Sequence, residues 1–225
     1  DPGMSARDAI RAQVSHLELL SEGMAGMVHA KEVAIACELE GIDLPDDPNE
    51  AVMVWYGAFQ AEITERLRAA GEDIPDLNTV KVAHYVHPIE FLFPNFFLLP
   101  MFSSMASYRI RPLTAETCLF EIWSLTTVKP GEEPDSPTEP IMLPFDSQDF
   151  PMIPRQDYSN IPIQQKGMHS TGFDEMRLSR DREGLISNYQ RLIDGFIAGL
   201  PLDKLARANT ELGGNFDGPI KDLGF

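Results

Sequence analysis

The chain has 225 residues and a mass of 25.1 kDa, of which 43% are hydrophobic. That is enough to bury a sizeable core in one large domain or two small ones, and it excludes collagen, coiled coil and wholesale disorder. With 18 Lys and Arg against 35 Asp and Glu, the net charge is -17, so a nucleic-acid backbone or an anionic membrane surface would repel the chain. No apolar run approaches the roughly 20 residues a bilayer span needs, and Asp1-Pro2-Gly3-Met4 has neither the basic start nor the apolar stretch of a signal peptide. The expectation is a soluble, cytoplasmic protein with no nucleic-acid and no membrane partner. Cys37 and Cys118 stand far apart without a CxxC pair, which removes a disulfide framework and a zinc ribbon.

In chain order, Val14 to Leu39 mixes short apolar runs with Gly23 and Gly26 and reads as a strand or two with a bend. Asp47-Pro48-Asn49-Glu50 then offers a capping Asp, a Pro at the first helical position and a Glu at the third. Behind it Val52, Trp55, Tyr56, Phe59, Ile63 and Leu67 recur at offsets of three and four, and Gly71 stands where a left-handed residue would end the helix. From Val80 to Val128 the texture is that of three antiparallel strands, roughly Val82–Phe93, Phe97–Arg111 and Cys118–Val128, with apolar groups on both faces. Residues 129–140 hold four prolines and four acids and read as a solvated loop. A second helix is expected over Arg182–Leu200, capped by Asp181 and stopped by Gly199 and Pro201. Residues 208–225, rich in Gly and Asp, read as a tail lying loosely on the surface. An antiparallel sheet with one long C-terminal helix packed across it is an α+β, helix-grip arrangement, and it leaves a cavity between helix and sheet.

The chemistry-bearing residues are few. His84 and His87 lie three apart on an expected strand, where they point to opposite faces and cannot share one metal unless the strand breaks. His29 and His169 are isolated in sequence. GxSxG, HExxH, GxGxxG and GxxxxGK[ST] are all absent, which removes the common hydrolase, zincin, dinucleotide and P-loop readings. The run Ile89 to Leu99 is unusually aromatic, and carboxylates at Asp146, Asp149 and Asp157 lie downstream, available to a metal such as iron but equally at home in a solvated loop.

Three stretches carry a family resemblance: Phe91-Leu92-Phe93-Pro94-Asn95, Tyr108-Arg109-Ile110-Arg111-Pro112 leading to Glu121-Ile122-Trp123, and Gln156-Asp157 followed by Gln164-Gln165-Lys166-Gly167-Met168. In their order and spacing they resemble the C-terminal catalytic domain of the alpha subunit of Rieske-type aromatic-ring-hydroxylating oxygenases. The resemblance implies a Bet v1-like fold and a mononuclear non-haem Fe(II) held by two histidines and one carboxylate. It also implies Asp157 as that carboxylate, and Ile89, Phe91 and Met101 as lining of the substrate pocket. The family's Asp-x-x-His-x(4)-His motif and its Rieske cluster ligands are missing from this sequence. Two of three iron ligands are thus absent, the [2Fe-2S] cluster is expected only in a missing N-terminal part, and the chain is expected to be a truncated, by itself inactive, catalytic domain.

The parent protein implied by the resemblance acts in aromatic hydrocarbon catabolism. It hydroxylates an aromatic or other apolar small molecule with dioxygen and NAD(P)H electrons relayed by ferredoxin and reductase, as a homotrimer or alpha/beta hexamer. Two rival readings stay open on the same fold. One is a metal-free module binding an apolar ligand, which would tolerate Asp157 pointing to solvent; the other is an assembly subunit whose cavity is filled by side chains.

Overall fold

The computed structural model describes residues 3–24, 26–79, 89–137, 139–214 and 218–225. The chain opens with two helices, α1 (Ala6–Gly23) and α2 (Ala30–Glu38), followed by a short 3-10 turn at Leu39–Gly41. These replace the strands expected over Val14–Leu39. A capping box starts α1, because the Ser5 hydroxyl accepts from the Asp8 amide and the Asp8 carboxylate accepts from the Ser5 amide. Ala9, Ile10, Val14 and Leu17 form its buried stripe. The glycines that suggested a strand bend end the helix instead, Gly26 taking a φ of +77°. His29 caps α2, its Nδ1 accepting from the Lys31 amide at 3.2 Å.

Helix α3 (Pro48–Ala69) forms as its sequence predicts. Asp47 Oδ1 accepts from the amides of Asn49 and Glu50 at 2.9 and 3.0 Å, Pro48 occupies the first turn, and Gly71 closes the end at a φ of +87°. Trp55, Phe59 and Ile63 are fully buried.

Four strands follow, β1 (Glu90–Leu92), β2 (Phe96–Pro100), β3 (Ser104–Pro112) and β4 (Cys118–Thr126), in the sheet order β1-β2-β3-β4. The β1–β2 pair is antiparallel and sets Phe91 opposite Phe97. The class is therefore α+β with a four-stranded antiparallel sheet, consistent with a Bet v1-like domain. The first expected strand lies partly outside the described residues, and His84 and His87 lie wholly outside them. The second is divided between β2 and β3 at Met101-Phe102-Ser103, where the Met101 amide donates to the Ser104 carbonyl at 2.8 Å. Residues 129–137 are exposed and carry neither helix nor strand.

The polar segment expected to be a loop around Asp157 is helix α4 (Met152–Met168), despite Pro162 in its interior. The helix expected over Arg182–Leu200 is α5 (Gly184–Ile197), and it stops as expected where Gly199 takes a φ of +69° and Pro201 follows. Helix α6 (Leu202–Gly214) comes after it, so the described C-terminal segment holds two helices of 14 and 13 residues rather than one long one. Helix α5 starts after Asp181, at an N-cap Glu183 whose side chain caps no helix amide. The expectation of a loose tail from Ala208 also gives way, because Ala208 and Leu212 are buried on α6 and Leu223 is buried beyond it.

The chain divides into two compact units. The first comprises Asp1–Tyr85, Leu99–Ser107 and Ile122–Ile163. Its core joins Ile10, Val14 and Leu17 of α1 and Ile35 and Ala36 of α2 to Trp55, Phe59 and Ile63 of α3, with Met101 and Phe102 packed against them. The second comprises Val86–Leu98, Tyr108–Glu121 and Gln164–Phe225. Its core is Leu192 of α5, Leu205, Ala208 and Leu212 of α6, and Leu223, with Phe91, Phe93 and Tyr189 packed on it. Among the described residues no helix is long and apolar enough to cross a membrane.

Candidate functional site

Within the second unit, the aromatic strand and α5 meet around a groove. Phe91 stands on β1 with its ring 4.7 Å from that of Phe97 on β2, and Tyr189 of α5 meets Phe91 edge to face at 5.6 Å. Phe91, Phe97, Leu185, Ile186, Tyr189 and Leu212 line an apolar cavity of about 160 Å³. Burial pushes the Tyr189 phenol above its usual range, the sign expected where water is scarce. The motif Phe93-Pro94-Asn95 anchors the strand pair, since Asn95 Nδ2 donates to the Ile110 carbonyl at 2.6 Å and the Ile110 amide donates to the Asn95 carbonyl at 3.0 Å.

Of the three pocket residues expected from sequence, Phe91 lines this groove. Ile89 lies just ahead of β1 and is 38% exposed, and Met101 packs on the helical core of the first unit. Phe97 and Tyr189 are groove residues that sequence reading did not single out. Tyr189, like Leu185 and Ile186, was legible only as part of an apolar helix face.

Asp157 belongs to the first unit and is exposed on α4, beside the buried Tyr158, whose ring meets Phe150 edge to face at 5.0 Å. Further along the same helix, in the second unit, Gln165 Nε2 donates to the Glu116 carbonyl at 2.8 Å and to its carboxylate at 2.9 Å. His169 Nε2 meets the same carboxylate at 3.0 Å. Gln165 first, and His169 after it, hold the Glu116 carboxyl below the usual range. Glu121 is held low too, chiefly by Arg109 at 2.5 Å and also by Arg111 at 2.9 Å.

A buried carboxylate marks the first unit. Glu32 of α2 is fully buried, and its Oε1 accepts from the Ser103 amide, the Ser103 hydroxyl and the Ser104 hydroxyl at 2.7 to 2.8 Å, while its Oε2 has no partner. Close by in sequence, Lys31 Nζ donates to Glu72 at 2.6 Å and to the Thr127 carbonyl at 2.7 Å. These bonds tie the start of α2 to the turn that opens β3 and to the end of β4. They build a strap rather than an open site.

The family model described as ring hydroxylating alpha subunit (catalytic domain) matches residues 44–199, more than half of the chain. The chain belongs to this family. No curated protein and no solved structure matches it. As a ring-hydroxylating catalytic domain it has an oxidoreductase, an oxygenase, as its parent, and the family implies non-haem iron, an aromatic substrate and electron-transfer partners there. The matched range takes in Phe91, Phe97, Leu185, Ile186 and Tyr189, but neither α1 nor α2.

The described residues do not by themselves assemble the family's iron centre. Among the described residues no group of three His, Cys, Asp or Glu side chains stands close enough to hold a metal. His29 Nδ1 is engaged in capping α2, His169 is engaged with Glu116, and Asp157 faces solvent.

Proposed function

We propose that this chain is the ring-holding part of an oxygenase that hydroxylates an aromatic or similarly apolar ring, received in the Phe91 groove. Membership of the ring-hydroxylating family over residues 44–199 carries this reading. Its own residues act by positioning. The rings of Phe91, Phe97 and Tyr189 present faces and edges to a bound ring, and the aliphatic side chains of Leu185, Ile186 and Leu212 keep water from it.

The same reading takes the parent as a cytoplasmic homotrimer or alpha/beta hexamer using non-haem Fe(II). Its electrons are drawn from NAD(P)H through a reductase, a ferredoxin and a Rieske [2Fe-2S] cluster. Asp157 would supply one carboxylate to the iron. The 225 residues contain no Asp-x-x-His-x(4)-His motif, so alone they are proposed to lack activity.

In the protein carrying both histidines and the cluster, Asp157→Ala should lower iron content and abolish turnover while leaving the cluster's visible spectrum unchanged. Iron content and product yield measured side by side check this. Full iron and full turnover in the variant would overturn the ligand assignment.

The exposure of Asp157 favours a second reading, a metal-free module that binds an apolar ligand in the same groove. It predicts ring binding that is indifferent to Asp157→Ala and to added ferrous iron.

A further inference from the structure

We infer that the Phe91 groove selects uncharged rings over aromatic carboxylates and takes a single ring. This rests on the proposed function for the ring's role as substrate, whereas the selectivity follows from the groove itself. The groove of about 160 Å³ is apolar in its lining among the described residues. The groove is open to solvent at its rim, where Ile186 is exposed, but its volume is close to the about 150 Å³ of an apolar cavity that holds benzene, so the space matches one ring. Phe91 and Phe97 lie tilted to each other while Tyr189 stands at 78° to Phe91, so an entering ring meets both aromatic faces and aromatic edges.

Charge decides the rest. None of the six lining residues is basic, and none offers the groove a donor for an anion. A carboxylate that entered this lining would meet no group to pair it among the described residues, at a cost that ring burial does not recover. The net charge of -17 acts in the same direction before contact, lowering the local concentration of anions around the chain. An aromatic acid therefore loses twice where an uncharged ring loses nothing.

The probes are toluene and benzoate, titrated at pH 7 into the 225-residue chain and followed by the aromatic NMR resonances of Tyr189, Phe91 and Phe97. Toluene should shift these resonances saturably, and benzoate should bind at least about a hundredfold more weakly. Ile186 is 39% exposed at the groove, so it can be changed with little risk to the core. Ile186→Phe should fill the groove and weaken toluene binding, while Ile186→Arg should raise benzoate affinity about tenfold.

Equal binding of the two probes, or toluene binding that leaves the three aromatic residues unshifted, would overturn the inference. Failure of the proposed function reads differently. It would appear as normal toluene binding with no hydroxylated product in the iron-loaded, electron-supplied parent protein, and that result leaves the groove assignment standing.

Discussion

Glu32 is a single residue whose two oxygens have opposite fates. Three donors converge on Oε1, while Oε2 is buried and bare. Glu32→Ala strands the Ser103 amide and the Ser103 hydroxyl, while the Ser104 hydroxyl keeps the Met27 carbonyl at 3.0 Å, and the expected loss is about 2–4 kcal/mol of unfolding free energy. Glu32→Gln keeps the acceptor and removes an ionisable group that pairs with no cation among the described residues, so it should cost far less than Ala. Denaturant melts of the two variants check the order, and equal losses would mean that the bonds at Oε1 contribute nothing. Tyr189 and Phe97 show how little of the site is visible one residue at a time. An aromatic on a helix and another on a strand become partners only after the chain brings α5 against β1 and β2, whereas Phe91 stood out within an aromatic run.

At the scale of the element, α5 shows how glycine permits close approach. A Cβ on Gly184 would stand 2.7 Å from the Gly218 carbonyl oxygen, and the Gly184 amide donates to that same carbonyl at 3.0 Å. On Gly195 the nearest atom is the Cδ2 end of the Leu205 side chain, at 2.5 Å. Backbone cannot rotate aside and a leucine tip can. Gly184→Ala should thus cost about 1–3 kcal/mol and loosen residues 218–220, while Gly195→Ala should cost less. Thermal melts together with amide exchange at Ile220 decide it, and an unchanged exchange rate in Gly184→Ala would show that the contact yields freely.

The elements also differ in how far their own residues announce them. Asp47-Pro48 and Gly71 bracket α3 with local chemistry, so its ends were readable. Pro154 and Pro162 disguised α4, whose buried residues are only Pro154 and Tyr158, too few to trace a stripe. Gly23 and Gly26 suggested a bent strand in α1, although the capping pair Ser5 and Asp8 and the spacing of Ile10, Val14 and Leu17 spelled a helix. On α6, Leu205, Ala208 and Leu212 follow a helical period that the glycine-rich composition around them obscured.

Across the whole molecule, acids outnumber bases by nearly two to one, and the folded chain holds these charges closer together than the unfolded one does. Exposed pairs such as Arg66 with Glu62 return little against that repulsion. The melting temperature should therefore rise as sodium chloride is raised from about 10 to about 150 mM, over which the screening length shortens from about 30 to about 8 Å. A fall over that range would mean that the ion pairs outweigh the net charge. The class of the fold was legible at this scale from the order of apolar texture, strands in the middle and helices after them. The split into two cores was not, because contacts between segments far apart in the chain leave no mark on any one of them.

The strap at Glu32 also guards against misthreading. Ser103 and Ser104 are flanked by Phe102 and Met105, so sliding the strand by one position in either direction replaces one of the two serines at the buried carboxylate by hydrocarbon. The pairing that adds modestly to the correct arrangement thereby penalises the neighbouring ones. One acidic side chain on a helix keeps count for a strand some seventy residues downstream.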